Sequence, residues 1–185
     1  MTSTKAPEPE RPAAEPQLDT AGKGRGWGKN LLMNPSHTLT LAEVEAVARQ
    51  AHATQTDKAG RPYTEHLQAV AQGVHARNGS QEQIAAAWLH DAIEDNALTE
   101  EWLEAAALTP YTKAIVHALT KQPSEPPETY AARILETPGA RLVKEADLAH
   151  NANPARLAEL DGPTRTRLTA KYANMRALLG IEPGH

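Results

Sequence analysis

From Thr38 onward apolar residues recur every three or four positions, and they do so almost to the end of the chain. Leu41, Val44, Val47, Ala48 and Ala51 form the first such run, the spacing that lines one face of a helix. Thr40 stands before it as an N-cap, with Glu43 three residues on to complete a capping box. Gly60 and Pro62 interrupt the pattern, and a second helix is predicted from about Tyr63, carrying Leu67, Val70, Ala71 and Val74 until Asn78-Gly79-Ser80 ends it. The third is predicted from about Gln81 to Asn96, with Ile84, Ala87, Trp88 and Ala92 among its apolar positions. Thr99 caps a short fourth helix containing Trp102, and Pro110 opens a fifth with Ile115, Val116 and Leu119. Beyond Pro123, Pro126 and Pro127 comes a helix with Tyr130, Ile134 and Leu135. Pro138-Gly139 then precedes the segment Leu142 to Asn151, and Pro163 precedes a last amphipathic helix ending near Gly180. Alternation at period two is nowhere sustained and Phe is absent, so a sheet has little to be built from. The pattern predicts an all-α domain of about seven or eight helices.

Residues 1–36 have no such period; they are rich in Pro, Glu, Ala, Gly and Lys, too polar to offset the entropy of ordering, and are expected to be a disordered tail. The domain is therefore placed at 37–182. With 185 residues in all, there is room for one domain and a tail. Cysteine is absent, which excludes a disulfide framework, a zinc ribbon, an iron–sulfur cluster and a thiol nucleophile, and fits a reducing cytoplasm. Nineteen Lys and Arg against 23 Asp and Glu give a net charge of −4, which argues against a general nucleic-acid or anionic-membrane surface. No run approaches the roughly 18 apolar residues of a membrane span, and no secretory signal is visible. A cytoplasmic protein is expected, with neither nucleic acid nor membrane as partner.

The chemistry concentrates in the predicted third helix, where His90, Asp91, Glu94 and Asp95 follow an apolar run. At about 100° per residue the four would span an arc of some 140° on one helix face. Three carboxylates beside an imidazole on a largely buried helix repel one another unless a cation sits among them. A divalent metal is the economical answer. Two adjacent ligands hold a metal weakly, so further donors are needed from other helices, and His66 and Asp147 are the best placed. Mixed nitrogen and hard oxygen donors suit Mn²⁺ or Fe²⁺ without excluding Zn²⁺, Co²⁺ or Mg²⁺.

Several separated motifs, covering about residues 41–152, resemble the HD-domain metal-dependent phosphohydrolases and, within them, the alarmone hydrolase domain of the RelA/SpoT family. Ala51-His52 with Gln55, Lys58, Gly60, Pro62, Tyr63 and His66 is similar to that family's opening segment. Ala86-Ala87-Trp88-Leu89-His90-Asp91-Ala92-Ile93-Glu94-Asp95 resembles its Leu-His-Asp stretch followed by Glu-Asp. Leu119-Thr120-Lys121 matches its Leu-Thr-Lys, and Val143-Lys144, Ala146-Asp147 and His150-Asn151 match its Val-Lys-Leu-Ala-Asp segment ending in His-Asn.

The resemblance implies an HD-type helical bundle in which His66, His90, Asp91 and Asp147 ligate a Mn²⁺-like ion while Glu94 and Asp95 position or activate the attacking water. It implies that Lys58, Lys144 and Asn151 contact a nucleotide substrate, and that the reaction is hydrolysis of (p)ppGpp to GDP or GTP plus pyrophosphate. With 34 residues after Asn151 there is too little chain for the synthetase domain of long family members, so a stand-alone small alarmone hydrolase is expected. One position departs: where the family usually has an Arg-Lys pair before Ser-Gly, this chain reads Asp57-Lys58-Ala59-Gly60. An anion there repels phosphate and cannot stack as a guanidinium does, so it bears on substrate identity more than on catalysis. A phosphohydrolase acting on another nucleotide, NADPH or a deoxynucleoside monophosphate, therefore stays open, as does a non-catalytic nucleotide-binding domain. Among the other histidines, His52, His75, His117, His150 and His185 are expected in helix-end or surface roles, and Trp88, Trp102, Tyr130 and Tyr172 in the core, with Tyr130 also a candidate to line the pocket.

Overall fold

A computed structural model describes residues 38–182; the predicted tail, and His185, lie outside the described residues. Nine helices run in order: α1 Leu41–Ala51, α2 Tyr63–Ala76, α3 Gln81–Leu89, α4 Glu100–Ala105, α5 Pro110–Leu119, α6 Pro127–Glu136, α7 Ala140–Asn151, α8 Pro154–Ala158 and α9 Gly162–Leu178. The all-α expectation holds, and the described residues contain a single isolated β-bridge, Thr56 to Pro62. None of these helices is long and apolar enough to cross a membrane.

The ends form where polar side chains satisfy the first backbone N–H groups. Thr40 and Ser80 make capping boxes with Glu43 and Gln83, and Thr99, Thr109 and Asp161 cap α4, α5 and α9. The extra element, α8, is a five-residue helix with Asn153 accepting from Ala155 N and Pro154 in its first turn. It is too short for periodicity to register. The last helix buries only Leu168 and Met175 along its length, a narrower stripe than the amphipathic expectation, because much of that face borders a cleft.

The third helix is also shorter than predicted, ending at Leu89 rather than Asn96. The cause lies in the side chains. His90 Nδ1 lies 2.8 Å from the carbonyl of Ala87, which the next turn of a regular helix would have used. Thereafter the bonds tighten, with Ala92 N to Leu89 O and Asn96 N to Ile93 O, and Asn96 leaves the helical region at φ 56°. His90, Asp91, Glu94 and Asp95 thus occupy a chain of turns, not one face of a helix.

Helix α3 lies at the centre, packed against α1, α2, α5 and α7, and α2 also packs on α7. Gly73 on α2 faces Ala146 on α7, where an added Cβ would sit 3.1 Å from the alanine methyl, so small residues let the two helices approach closely. That approach brings His66 and Asp147 together. Leu67, Leu89 and Leu148, each no more than 2% exposed, are chain neighbours of His66, His90 and Asp147. Truncating such a leucine costs about 2–5 kcal/mol, so the three polar residues are held in place by the core itself.

Candidate metal centre

Four donors converge from three elements: His66 from α2, His90 and Asp91 from the turns after α3, and Asp147 from α7. His66 Nε2 lies 3.3 Å from His90 Nε2, 3.5 Å from Asp91 Oδ2 and 3.4 Å from Asp147 Oδ1. His90 Nε2 lies 2.9 Å from Asp91 Oδ2 and 3.7 Å from Asp147 Oδ1. One ion bonded at about 2.0–2.2 Å to N and O donors sets neighbouring donors roughly 2.9–3.6 Å apart. The observed spacings fall in or next to that range. His66, His90 and Asp147 are all buried and form a cluster able to hold a metal ion.

The hydrogen bonds behind these groups decide which atoms face inward. A carbonyl can only accept, so His90 Nδ1 carries a proton toward Ala87 O and Nε2 is the ring nitrogen turned to the centre. His66 Nδ1 pairs with His150 Nδ1 at 2.8 Å. Burial, then His66 and Arg156, push the His150 pKa down to about 4, so His150 is neutral and accepts from His66 Nδ1, which turns His66 Nε2 to the centre as well. Two Nε2 atoms 3.3 Å apart beside two carboxylates need a cation between them, a proton or a metal ion. Burial works against charge on His90, but Asp91 and Asp147 outweigh it and push its pKa up to about 10. Burial likewise opposes ionisation of the two carboxylates, which His90 beside Asp91, and Lys144 and His90 beside Asp147, hold well below the usual range. The field that attracts a proton to His90 attracts a divalent ion more strongly.

Each carboxylate is steered by its own partners. Tyr63 donates to Asp91 Oδ2 at 2.5 Å, and its ring stacks on His52 with centroids 5.3 Å apart. Lys144 Nζ lies 2.7 Å from Asp147 Oδ2, and Asn151 Nδ2 donates to Asp147 Oδ1 at 2.5 Å. Such supporting groups fix ligand orientation and basicity.

The cluster forms the floor of a cleft of about 560 Å³, within the usual range for a small-molecule site. Glu94 and Asp95 stand on its wall, each anchored through one oxygen: Glu94 Oε2 accepts from the backbone N–H of Lys121 at 3.0 Å, and Asp95 Oδ2 from Gln55 Nε2 at 2.7 Å. Partial enclosure raises the Glu94 pKa above its ordinary value, against the pull of the Lys121 N–H. Lys58, Lys121 and Lys171 reach the same cleft, and no ion pair engages any of the three among the described residues. Burial, and repulsion from Lys144, Lys121 and Lys58, lower the Lys171 pKa.

All the residues singled out from sequence reach this centre or its cleft. Lys144 and Asn151, expected on the substrate, make their hydrogen bonds to Asp147 while also lining the cleft. His52 and His150 stand at helix ends as expected, His52 as the C-cap of α1 and His150 in the last turn of α7, but they face inward: His52 is 1% exposed and bonds Gln55, and His150 backs His66. His117 is half-buried near the end of α5, and is paired with Glu100 and Glu104. Asp57 differs most from expectation. Its Oδ1 accepts from Ala59 N at 2.8 Å and Arg61 N at 3.0 Å, stabilising a turn completed by Gly60 at φ 80°, and its Oδ2 meets Arg156 at 2.9 Å. Burial opposes its charge, but these partners hold the carboxyl below its ordinary value. It is a neutralised organiser of the loop. Lys171 and Arg156, both on the cleft, carried no sequence signal, since each follows the last recognisable motif.

A family model of the HD domain matches residues 45–131, just under half of the chain. That stretch of the chain is similar to an HD domain. The match ends before Asp147, whose place beside the histidines is a finding of the structure. The chain is 42% identical over 73 residues to the guanosine-3′,5′-bis(diphosphate) 3′-pyrophosphohydrolase of Vibrio cholerae, and 43% identical over 58 residues to the protein of the same name from Haemophilus influenzae. These alignments take in 36% and 31% of this chain and 10% and 9% of the relatives, so the chain spans about a tenth of the length of the curated relatives it matches.

Proposed function

We propose that residues 37–182 form a Mn²⁺-dependent phosphohydrolase that cleaves (p)ppGpp at its 3′ position, releasing pyrophosphate and GDP or GTP, in the cytoplasm. The observation that supports this reading is the inward-facing pair of imidazole Nε2 atoms with two carboxylates, set beneath a cleft with two anchored acids and three lysines that no ion pair engages among the described residues. The activity named for the relatives supports the choice of substrate.

His66, His90, Asp91 and Asp147 would hold the ion, which supplies Lewis acidity toward a phosphoryl oxygen and toward water. Glu94 keeps one carboxylate oxygen unengaged while Lys121 N–H fixes the other, and a raised pKa makes it the better proton acceptor of the pair. Asp95, fixed by Gln55, orients the same water. Lys58, Lys121 and Lys171 would neutralise the charge of the phosphoryl group that water attacks, the bond to the ribose 3′ oxygen breaking as pyrophosphate is formed, and Lys144 and Asn151 line the cleft from their places on Asp147.

The test is pyrophosphate release from guanosine tetraphosphate by the full chain with Mn²⁺, with a chelated control and NADPH in parallel. Metal-dependent release is expected, and Glu94→Gln should lower turnover by about 10²–10⁴-fold while still binding nucleotide. No release from the metal-loaded protein would overturn the substrate assignment. Phosphate from NADPH instead would keep the site and move the substrate.

A further inference from the structure

The chain has a pair of charges that the proposed chemistry leaves unused. Asp57, in the turn after α1, and Arg156, on α8, meet at 2.9 Å with side chains only 6% and 20% exposed. A second, more exposed pair, Arg61 with Glu159, joins the same turn to the residue after α8. The short helix is thus clipped to the turn, and the two together form one wall of the cleft.

Arg156 differs chemically from the lysines of the cleft. Among the described residues no ion pair engages Lys58, Lys121 or Lys171, and their charge suits phosphate, whereas the charge on Arg156 is balanced by a carboxylate that two backbone N–H groups hold in place. A neutralised guanidinium attracts phosphate weakly. It remains flat, weakly hydrated and fixed in orientation, the properties that let arginine lie against an aromatic face. Leu157, Leu160 and Leu168 line the cleft along with it, adding apolar surface around that plane. A wall of this kind fits a planar heteroaromatic ring, and the lysines fit the phosphates attached to it.

We infer that Arg156 is the base-holding, specificity-determining residue of the cleft and that Asp57 is the positioning residue that keeps its guanidinium flat against the nucleobase. The inference rests on the proposed nucleotide reading and deepens it. It assigns to Asp57 a role opposite to repelling the substrate: the carboxylate makes the base-holding cation available without adding a net charge.

The experiment measures binding of guanosine tetraphosphate and of inorganic pyrophosphate, which has no base, to the full-length, Mn²⁺-loaded Glu94→Gln protein by calorimetry. Adding Arg156→Ala should weaken the nucleotide by about tenfold or more while changing pyrophosphate by less than about twofold. Arg156→Lys should not restore the nucleotide, because it returns charge without a plane. Asp57→Asn retains an oxygen for the Ala59 and Arg61 N–H groups and loses only the ion pair, so it should weaken the nucleotide with the turn intact. In the otherwise unmodified enzyme it should raise KM and leave kcat nearly unchanged. Equal nucleotide binding by the Arg156→Ala protein, equal losses for both ligands, or rescue by lysine would each overturn the inference and leave the proposed function standing. Nucleotide binding unchanged by Asp57→Asn would overturn the role given to that carboxylate. A parent protein that binds pyrophosphate but not the nucleotide would overturn the functional reading itself.

Discussion

The floor of the cleft and its outer wall are built on opposite plans. On the floor every donor has a second partner behind it: Ala87 O behind His90, His150 behind His66, Tyr63 behind Asp91, and Lys144 and Asn151 behind Asp147. Fully buried leucines adjoin three of the four in the chain. The wall consists of a turn, a five-residue helix and long cationic side chains, joined by two ion pairs that still reach solvent. A floor of this sort is organised before anything binds, and its geometry does not depend on the substrate. In the proposed function the wall is where substrates would be told apart, because a change of one side chain there leaves the four converging donors undisturbed.

The comparison can be broken most sharply by exchanging one residue in each region. Asp147→Asn removes a charge from the cage, leaves Lys144 mostly buried without its carboxylate, and should reduce bound metal well below one ion per chain. Turnover should fall by more than the roughly 10–100-fold typical of losing a supporting group. Lys58→Met, on the exposed wall, should retain full metal content and raise KM for a polyphosphate substrate only a few-fold, the ordinary worth of one solvated charge. Metal analysis alongside steady-state kinetics separates the two. Equal metal loss in both variants would mean that floor and wall are one cooperative unit.

A finer cut lies within the floor. His150 reaches the centre only through His66, at 2.8 Å. His150→Phe keeps a flat ring of similar size and removes the acceptor that fixes the His66 tautomer. Metal affinity should fall by about 10–100-fold, with activity restored by excess Mn²⁺. Unchanged affinity, measured by competition with a chelator, would mean that core packing alone orients His66.

The two plans also explain what sequence could reveal. The helical bundle is legible because caps, prolines and apolar spacing are local, and the convergence of His66, His90, Asp91 and Asp147 was legible because each sits in a contiguous motif. The end of α3 was not, since spacing records which side chains are apolar but not that His90 competes for the Ala87 carbonyl. His52 and His150 resembled any lone histidine; nothing in their neighbours' identities says that one stacks on Tyr63 and the other backs His66. The Asp57–Arg156 pair was hidden for a related reason. Its two halves belong to distant segments, and an aspartate read without its partner looks like an intruder in a phosphate site when it is in fact neutralised.

The smallest effect concerns the boundary between the two regions, where Glu94 stands. Enclosure in the cleft, with Asp91 and Asp95 nearby, raises its pKa in the folded protein despite the Lys121 N–H and the Lys144 charge. A carboxyl whose folded pKa is raised binds more protons in the native than in the unfolded state, so stability falls as pH rises from the unfolded value through the folded one. Glu94 thus weighs against folding at neutral pH, and the weight disappears in acid. Glu94→Gln, which keeps an oxygen for Lys121 N–H, should equal the parent in stability below about pH 4 and exceed it modestly at pH 7, with the gap opening between those limits. Because Glu94 still reaches solvent, solvation limits the gain, and paired urea titrations at several pH values are needed to resolve it. A gap that is constant with pH would trace the gain to shape, not charge. A gap that opens as described would identify Glu94 as the point where the rigid floor gives up stability to keep a base beside the substrate.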